Sequence, residues 1–215
     1  MDTPDDKYWP DLVGYCHSGH FLSRREWGIV TAQHGCINHY EKEVLMSKTL
    51  LVIDLQNDYF PGGRFPLCNA ETTLENTLHA IELANARNVP VVLVQHVANS
   101  SKVAPFFNQG TSGVDLHPRI LEAAPQAPVV VKGFADGFVN TTLEETLTRL
   151  ATTELLVCGM MTQNCVTHTA ISKSAEKYQV KVLTDCCTTV TELLHQIALN
   201  ALSTRITLGG ASDLL

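Results

Sequence analysis

The sequence predicts an α/β protein, a parallel sheet with helices packed on both of its faces. Two observations carry the fold. Short β-branched runs recur along the chain, and stretches of helical periodicity separate them. That alternation is the signature of buried parallel strands joined by crossover helices. A third observation concerns chemistry: three of the runs end in a reactive side chain. Leu50-Leu51-Val52-Ile53 reaches Asp54, and Pro128-Val129-Val130-Val131 reaches Lys132. Leu155-Leu156-Val157-Cys158 leads into the turn Gly159-Met160-Met161-Thr162 and then Cys165. In such sheets the ligand crevice lies outside the carboxyl ends of the strands. An acid, a cation and a thiol are therefore expected at one sheet edge.

The elements follow in order. A strand at 49–54 precedes a turn at Pro61-Gly62-Gly63. Leu74, Leu78, Ile81 and Leu83-Ala84 stand at helical spacing and predict a helix over 71–87, stopped at Asn88 before Pro90. A strand at 91–95 is followed by a long loop, 97–114, of a length that in compact domains is often functional. A short helix at 117–123 and a strand at 128–131 come next. Thr141 or Thr142 caps a helix running to about 151. A strand at 154–158, a helix at 163–177, a strand at 180–183, a helix at 191–202 and a last strand at 205–208 complete the pattern.

The 215 residues fit one large domain, or one of roughly 170 residues with an extension. Residues 46–215 are read as the domain. Residues 1–45 show no clear period and are read as an N-terminal extension, disordered or loosely packed, or as a mis-assigned start with Met46 as the true beginning. Their Cys16, His17, His20, His34, Cys36 and His39 match no standard zinc spacing. Hydrophobic content of 45% with 17% charged residues describes a globular chain with a substantial core. A net charge of -7 with no basic run excludes a nucleic-acid partner. No apolar stretch approaches the roughly 20 residues that span a bilayer, and no signal segment opens the chain, so a cytoplasmic location is expected. Seven cysteines, an odd number at irregular spacing, read as free thiols. Cys158 reads as inert core, and Cys186-Cys187 as small half-buried residues at a strand end.

Cys165 falls near the start of a predicted helix, where the dipole and free N–H groups lower a thiol pKa toward neutral and can receive an oxyanion. Asp54 ends an apolar strand, where a buried carboxylate is costly unless paired. Gln56-Asn57-Asp58 crowd further polar groups beside it. Taken singly, each residue has a bland reading: a small buried cysteine, a loop cap, a lysine snorkelling to solvent. All three emerge on one edge, and the joint reading is catalytic.

With their surroundings, "LLVIDLQNDYFPGG" at 50–63, "VVVKGFADGF" at 129–138 and "LLVCGMMTQNCVTHTA" at 155–170, these residues resemble the isochorismatase-like hydrolase superfamily. The resemblance is to its cysteine hydrolase branch, which includes nicotinamidases. It implies a three-layer, Rossmann-like fold with a six-stranded parallel sheet, and a homo-oligomer. It also implies an Asp54–Lys132–Cys165 triad and a non-proline cis peptide at Met160–Met161, with the N–H groups of Met161 and Cys165 forming an oxyanion hole. Asp54 would take the Cys165 proton, the thiolate would attack a carbonyl, and a thioester would be cleaved by water.

Two departures narrow the substrate. Metal-dependent nicotinamidases carry an Asp-x-His motif soon after the second strand, whereas this chain reads Gln95-His96-Val97-Ala98-Asn99. Neither a metal, nor another cofactor, nor nicotinamide is therefore expected, and His96 reads as a hydrogen-bonded pocket residue. True isochorismatases typically lack the cysteine nucleophile, so its presence favours an amide-type small molecule. Tyr59, Phe60, Gln95, Phe106 and Phe134, with Phe107 and Phe138, are candidate pocket walls. The competing readings are vinyl ether hydrolysis and a non-catalytic thiol redox or ligand-binding protein on the same scaffold, using Cys165 and Cys186-Cys187.

Overall fold

The structure, a computed structural model, describes residues 47–98 and 103–215. The expected extension, its histidine and cysteine set, and the boundary at Met46 lie outside the described residues. Six strands form one sheet: β1 (Lys48–Ile53), β2 (Val91–His96), β3 (Val129–Lys132), β4 (Glu154–Met160), β5 (Gln179–Thr188) and β6 (Thr207–Gly209). Their order is β3-β2-β1-β4-β5-β6, and every neighbouring pair is parallel. The chain lays strands outward from β1 to β3, then returns to the other side of β1 for β4 to β6. β1 and β4 are thus neighbours whose onward connections part in opposite directions, which opens a crevice at their carboxyl ends.

The helices form where the periodicity places them. α1 (Ala70–Ala86) buries Leu74, Thr77, Ile81 and Ala84, one face at spacings of three and four. It ends where Asn88 turns to φ 54° ahead of Pro90. α2 (Pro118–Ala123) opens on a proline, whose fixed φ suits a first turn. α3 spans Leu143–Arg149. α5 (Glu192–Leu202) is capped by Thr191, whose Oγ1 accepts from the Leu194 N–H at 3.2 Å.

Three elements differ from the sequence reading. The helix expected over 163–177 is broken into a π-helical turn (Thr162–Val166), α4 (Thr167–Ala170) and a 3₁₀ turn (Lys173–Ala175). Hydroxyl side chains there compete with helical bonding: Thr167 Oγ1 donates to Thr162 O at 2.6 Å, and Ser172 Oγ accepts from the Ser174 N–H at 3.3 Å. β3, read as a wholly buried strand, lies at the sheet edge and is covered on one face, so Val131 is 54% exposed while Val130 is buried. α6 (Ala211–Leu214) was not foreseen; it is held by remote partners, the Asp185 carboxylate on the Ala211 N–H (3.0 Å) and Lys48 Nζ on Leu214 O (2.7 Å).

One glycine fixes how closely the central strands approach. Gly159 pairs with Ile53 in register and has φ +120°; a Cβ there would lie 2.0 Å from the Ile53 carbonyl oxygen. Both the conformation and the contact exclude a side chain. Gly159→Ala is expected to lower stability by about 3 kcal/mol, the range of backbone clashes in a packed core. Urea unfolding reads the loss, and an unchanged midpoint contradicts the close approach.

Candidate active site

Asp54 is the first residue beyond β1. It adopts the left-handed region at φ 54°, which aspartate tolerates better than most residues. Its N–H donates to Val94 O at 2.9 Å and its own carbonyl accepts from the Gln56 N–H at 2.9 Å, so the turn is tied to the end of β2. Lys132 closes β3, in register with His96. β3 lies two strands from β1, about 10 Å away. A long side chain lying across the end of β2 is needed to reach Asp54, and lysine supplies it.

The Lys132 ammonium is the hub. Nζ lies 2.8 Å from Asp54 Oδ2, 3.0 Å from His96 Nδ1, 3.1 Å from Cys165 Sγ and 3.2 Å from Phe134 O. Cys165 sits in the π-helical turn just past β4, a distortion that recurs at functional sites. The cluster is dry: Asp54 is 0%, Lys132 1% and Cys165 2% exposed. Apart from Lys132 and Cys165, the Asp54 carboxylate has no hydrogen-bond partner among the described residues. Met161 precedes the turn and is joined to Met160 by a cis peptide bond.

Burial by itself pulls the Lys132 pKa down, but the neighbouring Asp54 and Cys165 charges outweigh it, and the net direction is up. Lys132 is therefore an ammonium at neutral pH. For Cys165 burial comes first and raises the pKa; Asp54 raises it further, and Lys132 only partly opposes them. The helix-start argument had the opposite sign. The helix that follows Cys165 has four residues, too short for its dipole to offset desolvation. Burial and Asp54 thus favour the thiol form of Cys165 over a preformed thiolate.

The ligating atoms of Asp54, His96 and Cys165 lie within 4.8 Å of one another, a spacing that suits a metal ion. The Lys132 ammonium, however, touches all three residues. A cation of the chain itself already occupies the place, and a second cation there would face it at contact distance. The donor set does not fit a resident metal.

The candidate pocket residues separate into groups. Tyr59, Phe106 and Phe107 form one aromatic cluster, with Tyr59–Phe107 centroids 4.5 Å apart, and Phe107 reaches the His96 ring at 5.8 Å. Gln95 lies next to His96 with its Nε2 donating to Val114 O at 2.9 Å. Phe134 offers its carbonyl to Lys132 while the residue is 47% exposed. Phe60 instead packs on His117 at 4.6 Å and lines a separate cavity with Gly62 and Arg64. Phe138 stacks on Tyr178 at 6.3 Å.

Other residues that build the site were not assigned roles from sequence. Gln56 clamps His96 by its backbone: its Oε1 accepts from the His96 N–H at 2.7 Å and its Nε2 donates to His96 O at 2.8 Å. Asp58, 1% exposed, accepts from the Phe107 N–H at 2.7 Å and so holds the aromatic loop. The polar crowd Gln56-Asn57-Asp58 was the signal for both. His195 on α5 pairs its Nδ1 with Thr162 Oγ1 at 2.9 Å, bracing the turn that carries Cys165; no sequence signal pointed to that pair. Thr162→Val, which keeps the shape and deletes the hydroxyl, is expected to destabilise by about 1–3 kcal/mol by leaving the buried His195 nitrogen unpaired. Thermal unfolding measures it, and an unchanged midpoint removes the brace.

Comparison with known proteins identifies the family and the fold. The family model described as the isochorismatase domain matches residues 48–209. The isochorismatase family protein YddQ of Bacillus subtilis is 36% identical over 146 residues, 68% of this chain and 80% of that protein. The nicotinamidase of Escherichia coli is 26% identical over 65% of this chain and 82% of its own length. A solved isochorismatase family protein from Desulfovibrio vulgaris superimposes with a TM-score of 0.72 at 27% identity, covering 79% of this chain and 96% of its own. A parallel sheet in the order 3-2-1-4-5-6, with acid, lysine and cysteine at its carboxyl edge and a family match spanning the whole of that sheet, places the chain in the isochorismatase family of hydrolases.

Proposed function

We propose that the protein is a cysteine hydrolase that cleaves the C–N bond of a small amide-type substrate through a thioester on Cys165. The observation that carries this reading is the Lys132 ammonium in simultaneous contact with Asp54 and Cys165 inside a dry cluster. The Asp54 carboxylate accepts the Sγ proton as sulfur attacks the carbonyl carbon. Lys132 holds both partners, so the negative charge moves between carboxylate and sulfur beside a fixed cation. The N–H groups of Met161 and Cys165 receive the oxyanion. As the tetrahedral intermediate collapses, Asp54 returns the proton to the departing nitrogen, and ammonia or an amine leaves. Asp54 then deprotonates a water that attacks the thioester, releasing the carboxylic acid and restoring the thiol.

The similarity to a nicotinamidase supports the amide class, and the thiol itself separates this scheme from ether hydrolysis. The same reading includes a cytoplasmic location and a homo-oligomer; the apolar Val129 and Val131 left exposed on β3 support the second alone. Incubation with a panel of small amides, imides and carbamates is expected to release ammonia or amine and to leave an acyl mass on Cys165. Hydrolysis without nitrogen release overturns the amidase assignment.

Because Cys165 rests as a thiol, its reactivity depends on Asp54. Asp54→Asn is expected to slow turnover of an amide substrate, read as ammonia release at pH 7, about a hundredfold, at the lower end of general-base effects. Equal rates in parent and variant remove Asp54 as the base.

A further inference from the structure

We propose that His96 selects the substrate: it donates its Nε2–H to a hydrogen-bond acceptor carried beside the scissile carbonyl. This rests on the amide reading above and names the class of amide. The preferred substrate carries a second carbonyl or a carboxylate next to the reacting one, and a substrate with a cationic group there is rejected.

The tautomer follows from the neighbour. His96 Nδ1 lies 3.0 Å from Lys132 Nζ, and an ammonium has donors only. Nδ1 must therefore present its lone pair, which puts the proton of the neutral ring on Nε2. Burial and the Lys132 charge both lower the His96 pKa, which keeps the ring neutral. The groups around it are Lys132, the Asp54 carboxylate, the Cys165 thiol, the Gln56 amide on its backbone and the Phe107 ring. Among the described residues none accepts from Nε2.

The residue is built to be still. Gln56 holds both its N–H and its carbonyl, Lys132 holds one ring nitrogen, and Phe107 lies beside the ring. A ring nitrogen of His96 is within 4.8 Å of Cys165 Sγ, where the attacked carbon must come. The imidazole thus borders that place, and Nε2–H, the ring nitrogen that Lys132 leaves free, is the donor it offers to a substituent adjoining the carbonyl. An acceptor there completes the donor, an aliphatic group leaves it unpaired, and an ammonium faces both the donor and Lys132.

The test has two independent arms. In the isotope-labelled full chain, nitrogen NMR of the imidazole is expected to show Nε2 protonated and Nδ1 unprotonated at pH 7; the reverse tautomer or an imidazolium overturns the proposal. In the Cys165→Ala protein, which cannot turn over, pyruvamide is expected to bind at least tenfold tighter than propanamide, its analogue lacking the second carbonyl. His96→Phe in that background is expected to collapse the ratio to within about threefold of unity, and His96→Asn, which keeps an N–H donor, to restore part of it. Equal affinities in the Cys165→Ala protein, including no binding of either, overturn the proposal. Absence of ammonia release and of an acyl mass on Cys165 in the parent sinks the amidase reading instead, and leaves both arms decisive for His96.

Discussion

Cys165→Ala is expected to abolish turnover, by about 10⁴-fold or more, while the fold survives with a loss of about 1 kcal/mol. The asymmetry has a physical source. Sγ is the one atom that forms a bond to the substrate in the proposed scheme, so nothing else in the cluster can replace it. Asp54 and Lys132 remain paired without it, at 2.8 Å, so the buried charges stay satisfied. Packing changes by a single sulfur in a turn fixed by Thr167 on Thr162 O and by Thr162 with His195. Ammonia release and thermal unfolding on the same samples check both halves. Residual hydrolysis above about one per cent of the parent rate would mean that water is activated directly, with no thioester. A collapse of the fold would mean that Cys165 is structural.

Much of this site was legible because parallel sheets impose a rule on sequence. β1 and β4 are buried on both faces, so they appear as continuous apolar runs, and the turn after each run is placed at the crevice without further information. Asp54 and Cys165 were found that way. Lys132 was found too, although β3 is an edge strand, because Val129 and Val131 are apolar despite their exposure. What stayed hidden depends on contacts between residues remote in sequence. The grip of Lys132 on His96 needs the register of β2 with β3, and the break of the 163–177 helix needs the hydroxyl bonds of Thr167 and Ser172. The sign of the Cys165 pKa shift needs its burial, which no local pattern reports. The aromatic residues show the same limit. Composition gathered six candidates, and only the folded loop separates Tyr59, Phe106 and Phe107, clustered with Phe107 against His96, from Phe60 on His117 and Phe138 on Tyr178.

Lys132→Met is expected to damage fold and chemistry together. The parent buries an ammonium against a carboxylate with both side chains fully shielded. Removing one partner strands the other charge, at a cost of about 3–5 kcal/mol. Turnover is lost as well, since Asp54 and Cys165 no longer share a cation. The two losses are separable. Asp54→Asn combined with Lys132→Met removes both charges and is expected to recover most of the stability with none of the activity. A double variant as unstable as the single one would show that the lysine contributes packing rather than charge balance. The pH dependence gives the same account from another side. Cys165 and Lys132 both have pKa values raised by folding, from ordinary values of 9.0 and 10.5, so the folded state holds protons that the unfolded chain releases. Stability must then fall as pH rises, first above about pH 9 as the unfolded thiol ionises, and more steeply above about 10.5 as the unfolded lysine loses its proton. The buried thiols of Cys158, Cys186 and Cys187 and the Tyr59 hydroxyl are shifted the same way, so Cys165→Ala is expected to lessen the first part of that alkaline slope by about one proton and Lys132→Met the second part likewise, measured by urea unfolding across pH 8–12. A slope unchanged by either substitution would show that Cys165 and Lys132 contribute nothing to the proton linkage.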